Sequence, residues 1–408
     1  MNTADSAFTK SKKIYLNDAD FAALNNQYAE FIDFFSADKI IDKISESDKS
    51  ADEEVQNHGG HIIIKIFTDS NYMLWINGVP VSFSQHPCYP DTPCYDEIDI
   101  TDKVHGGENK LAVLTYHQGL STSTYLKGTP GLIFEIKYYA DGENTGILLL
   151  SSSKETLSRI APEYSSGEIP AVSPQLGYTF EYDSITYDGW EQCGYEIARG
   201  GRSRICWLYS AELDESKEYV RRPVKRLLLE EPAAGNILAQ GIFDYGSEFR
   251  RSRAQSPAFY MQNAALKSKR FKELCTDESS RVLSHCTHPL LPSYTLNTST
   301  ESPKAEFSYL FSDEQPGIAL AGKGIYAIID LKHEECGYLN FDIDAPKGTV
   351  ITIGYGDHLD DLRVRSYIGG RNYSCSYICR GKRSSFTHFI HRIAGRYLQI
   401  FAECNKLT

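Results

Sequence analysis

Apolar and polar residues alternate most regularly near the end of the chain. Leu339, Phe341 and Ile343 interleave with Asn340, Asp342 and Asp344, so a strand there buries one face and wets the other. Ala345-Pro-Lys-Gly348 predicts a turn, since proline fixes φ and glycine tolerates positive φ. Ile351, Ile353 and Tyr355 then continue as the returning strand of a hairpin. Residues 356–372 carry glycines, acids and arginines without alternation, which predicts a long polar loop of the kind that forms working surfaces. Tyr373, Cys375, Tyr377 and Cys379 share one face of the next predicted strand, Gly381-Lys-Arg turns, and residues 386–401 run back with Gly395 as a bulge.

Earlier in the chain, residues 61–83 read as two strands joined at Asn77-Gly78, a dipeptide suited to a turn that needs positive φ twice. Residues 17–35 carry aromatic and apolar residues, of which 20–28 can open as a helix, and 41–57 read as a charged connection. A charged, proline-bearing linker is expected over 211–236. Residues 260–274 predict a short helix, and 276–303, rich in Ser, Thr, Pro and His, predict surface loops.

These runs also carry a resemblance. Gly337-Tyr338, Pro346-Lys-Gly348, Tyr355-Gly-Asp-His-Leu359 and Gly395-Arg-Tyr397 resemble the concanavalin-like β-sandwich of bacterial α-L-rhamnosidases, glycoside hydrolase family 78. Asp357 stands where that family more usually has glutamate, and Leu362 where a turn glycine is common. Tyr72-Met-Leu-Trp-Ile-Asn-Gly78, Tyr95-Asp-Glu-Ile-Asp-Ile-Thr101, Gly107-Glu-Asn-Lys-Leu-Ala-Val113 and Pro130-Gly-Leu-Ile-Phe134 resemble the galactose-binding-like jelly roll that precedes the sandwich in the same enzymes. Ser158-Arg-Ile-Ala-Pro-Glu-Tyr164, Gln175-Leu-Gly177 and Asp188-Gly-Trp190 extend the likeness. The resemblance implies an all-β chain of two β-sandwich domains. Its expected order is a mobile N-terminus (1–12), a jelly roll (13–210), a linker (211–236) and a concanavalin-like sandwich (237–408).

Composition agrees with strands rather than helices. Aromatics reach 12%, with 27 tyrosines and only three methionines. A net charge of −12 argues against a nucleic-acid partner, which would demand a basic footprint. No apolar run is long enough to span a bilayer, and the first residues lack the apolar core of a secretory signal. Ten cysteines without framework spacing, among them Cys88 and Cys94 flanking a Pro-rich loop, predict free thiols in a reducing cytosol. Thus a cytoplasmic protein is expected.

Glycoside hydrolysis requires two carboxyl groups facing across the scissile bond. By the resemblance, the family's catalytic acids lie in an (α/α) barrel that follows the Gly-Arg-Tyr strand, and no helical array or Cys-Pro-Trp/Tyr-Arg-Glu-like motif is present in this sequence. Asp357, Asp360 and Asp361 are too close in sequence to imply a facing pair. The expectation is a truncated, non-catalytic front portion of a rhamnoside-degrading enzyme, working with a barrel domain in a longer or split product. Asp357, His358, Asp360, Asp361, Arg363 and Arg371 are then candidates for a pocket rim or barrel-docking surface. The alternative is a stand-alone, lectin-like carbohydrate-binding protein. A sugar site needs flat aromatic faces beside amide and carboxylate hydrogen-bonding groups, and Asp69, Asn71, Trp75, Tyr116, His117 and Tyr125 are its candidates, although Trp75 in an alternating strand also suits a core. No cofactor is expected. Asp69 and Asn71 fall short of a calcium shell, and His285, Cys286 and His288 lack the partner cluster a metal site needs.

Overall fold

The computed structural model describes residues 7–17, 25–38, 60–197, 206–214, 217–233, 235–245, 256–268, 323–360 and 363–403. The expectations for residues 1–6, 41–57, 276–303 and the His285, Cys286, His288 group fall outside them. The fold is all-β, divided into two compact units.

The first unit comprises residues 1–162, 166–168 and 187–228. One sheet orders Ala211–Leu213, Lys13–Tyr15, Leu132–Ala140, Gly60–Thr68, Cys94–Asp99 and Val220–Arg221, with Ile147–Ser151 also pairing on Leu132–Ala140. The other orders Leu208–Tyr209, Leu157–Ile160, Gln27–Ser36, Glu108–His117, Asn71–Ile76 and Val79–Phe83. Alternation fixes what lies between them. Ile62, Ile64, Ile66, Phe134 and Ile136 point inward from the first sheet, and Phe31, Phe35, Tyr72, Leu74, Leu111 and Val113 meet them from the second. Asn77 and Gly78 have φ of 53° and 78°, the double positive φ that their hairpin requires. Beyond Asp99, the Ile62 N–H donates to Thr101 Oγ1 (2.9 Å), tying the short 3-10 turn Thr101–Lys103 to the central strand.

Segment 211–228, expected as linker, instead supplies edge strands. Lys13 pairs with Leu213 antiparallel, and Val220 pairs with Cys94 in parallel. Short edge strands are solvated on one side, so charge and proline in their sequence conceal them. Residues 169–186 also differ from expectation, because they belong to the second unit.

That second unit holds a seven-stranded sheet ordered Glu181–Asp183, Ser374–Ile378, Val350–Gly356, Ser384–Glu403, Lys323–Ile343, Asn236–Asp244 and Ala265–Ser268. The two longest strands pair along almost their whole lengths, with register shifts near residues 330–335 and 337–339. Gly395 lies opposite Glu335 at the end of one shift. A Cβ on Gly395 would come within 2.8 Å of the Gly356 backbone, so this close approach requires glycine. Residues 356–372, predicted as one loop, fold into two small hairpins, Leu359–Asp360 with Arg363–Val364 and Tyr367–Ile368 with Arg371–Asn372. The helix expected over 260–274 is instead Pro257–Asn263, and Ala265–Ser268, within the expected range, form an edge strand. Ser256 caps the helix by accepting from the Phe259 N–H, and Pro257 fills its first turn.

His388 is fully buried in this unit, with Phe180 stacked 3.9 Å away. Its Nε2 accepts from the His391 backbone N–H (3.1 Å) and lies 2.9 Å from His391 Nδ1, while Nδ1 lies 3.2 Å from the Tyr164 hydroxyl. A proton on His388 Nε2 would set donor against donor, so the ring is neutral with its hydrogen on Nδ1. Burial depresses the pKa of His388, reinforced by the neighbouring His391, and burial alone pushes His391 down to about 3. In the unfolded chain both rings titrate near ~6.5. Their neutral-state stabilisation is therefore complete above that pH and is lost as pH falls toward the folded values, by up to about 1.4 kcal/mol per pH unit for each ring. Urea midpoints measured from pH 7.5 to 5 should fall, and a His388→Gln/His391→Gln double variant should show a clearly shallower fall; equal slopes would refute the assignment.

Candidate functional site

In the first unit, the alternation that sends Tyr72, Leu74 and Ile76 inward turns Asn71, Met73 and Trp75 outward. Glu30, Phe34, Lys110 and Arg159 occupy the same outer face by the same rule. Segment 187–195 and Trp207 lie against it. Trp75 meets Trp190 edge-on at 5.6 Å, and Trp190 lies 6.1 Å from Trp207.

Arg159 organises these contacts. Its Nε donates to Glu30 (2.5 Å), and its two terminal nitrogens donate to the two Asp188 oxygens (2.8 and 2.9 Å). Tyr195 donates to Asp188 (2.7 Å) and accepts from the Trp207 indole N–H (3.1 Å), while the guanidinium lies 4.6 Å from the Trp207 ring. Glu30 and Arg159 are almost wholly buried. Burial works against the guanidinium charge, yet the Asp188 hydrogen bonds and the Glu30 charge more than offset it and raise its pKa. Burial also opposes the Asp188 charge, but its hydrogen bonds to Arg159 and Tyr195 hold that carboxyl below its usual range. Lys110 makes a second anchor. Its ammonium donates to the carbonyls of Trp190 (2.5 Å) and Gln192 (2.9 Å) beneath the Tyr195 ring, although burial lowers its pKa.

A cleft of about 260 Å³ opens beside these anchors, walled by Phe34, Tyr195, His105, Glu108, Lys110 and Cys193. Asn77 and Asn109 form its floor, but their side chains mainly serve the scaffold. Asn77 Nδ2 donates to the Lys103 carbonyl and Asn109 Oδ1, and Asn109 Nδ2 donates to the His105 carbonyl. Chemistry toward a ligand therefore falls to the two aromatic walls, the Glu108 carboxylate and the His105 ring. The volume lies just under that of ordinary small-molecule pockets and suits one sugar-sized ring.

The sequence-predicted sugar residues are placed differently. Asp69, His117 and Tyr125 do come together. Asp69 Oδ2 lies 2.6 Å from His117 Nδ1 and accepts from the Tyr125 hydroxyl (2.6 Å) and Ser70 Oγ (3.1 Å). All three are nearly sealed from solvent, and a Cβ on Gly128 would fall 2.2 Å from Asp69 Oδ1. Burial, followed by the Asp69 charge, raises the Tyr125 pKa. The cluster thus fastens the loop after His117. Tyr116 is buried against Tyr28 with ring centres 4.8 Å apart. Only Asn71 and Trp75 of the six are half-exposed.

Among the rim candidates, Asp357, His358 and Arg371 are exposed. Arg363 is turned back onto its own unit, donating to the Ala264 carbonyl (2.5 Å). Both small hairpins are pinned from below. The Val364 N–H donates to Gln399 Oε1 (2.6 Å), and Asn372 Oδ1 accepts from the Ala258 N–H (3.2 Å) and Ser374 Oγ (2.6 Å). Asp361 and the Asp360 side chain lie outside the described residues, and among those described no group of three or more His, Cys, Asp or Glu could hold a metal.

Phe34, the stretch 105–110 that carries His105, Glu108 and Lys110, and Tyr195 lie far apart in sequence, and no local spacing links the three. The available signals were separate: Ser158-Arg159 and Asp188-Gly-Trp190 each matched the family pattern, and the structure joins them through one ion pair.

No family model matches the chain, and no curated protein matches it. Solved structures do resemble it. A GH78 family rhamnosidase of Bacillus sp. GL1 aligns with 98% of this chain and 54% of its own, at 17% identity and a TM-score of 0.63. The α-L-rhamnosidase of Aspergillus terreus aligns over 96% and 34%, at 15% identity and a TM-score of 0.54. That of Dictyoglumus thermophilum aligns over 98% and 34%, at 11% identity and a TM-score of 0.53. The chain spans about half the length of the first and a third of the other two. At such identities the likeness is one of fold, and it includes both units.

Replacing Arg159 by methionine should cost about 3–5 kcal/mol, because it removes one partner of the buried pair with Glu30 and both hydrogen bonds to Asp188. The Arg159→Met/Glu30→Met pair should recover a large part of that loss in urea unfolding. Additive losses would show that the two charges are not coupled.

Proposed function

We propose that this chain is the non-catalytic β-sandwich portion of an α-L-rhamnosidase-like glycoside hydrolase, acting in rhamnoside degradation by supporting a catalytic barrel and contacting carbohydrate. The observation that carries the reading is the alignment of 98% of the chain with part of a rhamnosidase more than one and a half times as long. The exposed Asp357, His358 and Arg371 are the side chains of the 356–372 hairpins that would meet a barrel or a sugar hydroxyl. The chain alone should leave an aryl α-L-rhamnoside intact, and co-expression with the polypeptide encoded immediately downstream should yield a complex that hydrolyses it. Hydrolysis by the chain alone, or a downstream polypeptide that neither binds nor hydrolyses, would overturn the proposal.

A second reading, stand-alone carbohydrate binding, is favoured by the cleft between Phe34 and Tyr195. Aromatic faces there suit the C–H face of a pyranose, and Glu108 suits its hydroxyls. Calorimetric titration with L-rhamnose and aryl rhamnosides should give saturable heat that Tyr195→Phe preserves in part and Glu108→Ala weakens by about tenfold, equivalent to roughly 1.4 kcal/mol. Silence across the sugars would eliminate the reading.

A further inference from the structure

The segment between strands Val79–Phe83 and Cys94–Asp99 carries two thiols, Cys88 and Cys94, both half-buried and both reduced. The Thr92 N–H donates to the Tyr89 carbonyl (3.0 Å), closing a turn around Pro90 and Asp91. That turn folds the chain back between the two cysteines that flank it. The Cys94 Sγ stays over the turn, 3.5 Å from the Thr92 carbonyl, and the Cys94 backbone N–H faces the Cys88 thiol. Cys88 rests against the apolar cluster of Phe8, Phe67, Tyr95 and Ile133.

The same loop holds the chain that leaves the first unit. Lys217 Nζ donates to the Pro90 carbonyl (3.0 Å), the Val220 N–H to that of Pro93 (3.0 Å), and Arg222 to that of Cys94 (3.3 Å). Gln85 and Leu227 exchange two hydrogen bonds, at 2.9 and 2.7 Å. A covalent tie across residues 88–94 would therefore stiffen the support on which residues 217–227 lie.

We propose that Cys88 and Cys94 form a reversible disulfide when the protein meets a two-electron thiol oxidant such as glutathione disulfide, and that this bond fastens the 217–227 segment. The Cys94 thiolate attacks glutathione disulfide, forming a mixed disulfide and expelling one glutathione thiolate. The Cys88 thiolate then attacks the Cys94 sulfur and expels the second glutathione. Two electrons pass from the cysteine pair to the oxidant, and the two thiol protons pass to solvent. Burial, the largest influence on Cys88, raises its pKa, which disfavours it as the first nucleophile and leaves that step to Cys94. Cys375, by contrast, is sealed in the second unit.

The test uses the full chain treated with glutathione disulfide, blocked by alkylation and digested without reduction. Peptide mapping should find a Cys88 to Cys94 crosslink lacking two hydrogens, and dithiothreitol should remove it. Tryptic cleavage after Lys217, Arg221 and Lys225 should slow several-fold on oxidation, an effect lost in both Cys88→Ser and Cys94→Ser. The proposal is overturned if oxidation leaves stable glutathione adducts without the crosslink, or if the crosslink forms while cleavage in 217–227 is unchanged. The two serine variants, compared with the reduced parent by circular dichroism, separate loss of the crosslink from loss of fold.

Discussion

The outer face of the first unit depends on one buried guanidinium. Arg159 lies between Glu30 on the adjacent strand and Asp188 on the segment that covers the face. Without it, the Glu30 and Asp188 carboxylates would meet beneath a tryptophan-rich cover without the guanidinium that pairs with both, and desolvation would act against the packing. With it, the charges are matched, Tyr195 is fixed by Asp188 and Trp207, and Trp190 is placed where it meets Trp75. The cleft wall formed by Tyr195 follows from this charge balance. Lys110 adds a second constraint, since its ammonium donates to two carbonyls of the same cover.

The second unit rests on a different device. Its long antiparallel pair, Lys323–Ile343 with Ser384–Glu403, is too long to remain regular against a twisted sheet, and it absorbs the mismatch in two register shifts. Gly395, at the end of one of them, lets the strand Val350–Gly356 approach closely. The strands Val350–Gly356 and Ser374–Ile378 continue the sheet, and the chain between them is held down by Gln399 and Asn372. Exposed side chains on the small hairpins are thus carried by a stiff base, which is the property a docking or ligand-contacting surface needs.

Polar chemistry in this protein divides by solvent access. The Asp69, His117 and Tyr125 cluster has the residue types of a sugar site, but Asp69 Oδ2 is spent on His117 and Tyr125 and glycine at 128 packs against Asp69 Oδ1. The cleft beside Tyr195 has fewer such groups, yet it is open. A composition-based choice selects the first set because sequence displays donors and acceptors without showing which are already satisfied.

Local patterns determined the all-β fold, the Asn77-Gly78 hairpin and the alternating face of Leu339, Phe341 and Ile343, because each depends on periodicity or backbone sterics within a few residues. Short edge strands at 211–213 and 220–221 were hidden, since solvated edges carry the composition of linkers. The pairing of Arg159 with Asp188, the sealing of Asp69 and the lining of one cleft by Phe34 and Tyr195 were decided by tertiary structure alone. They join residues distant in sequence, and their burial and charge compensation exist only once the sheets have brought those residues together.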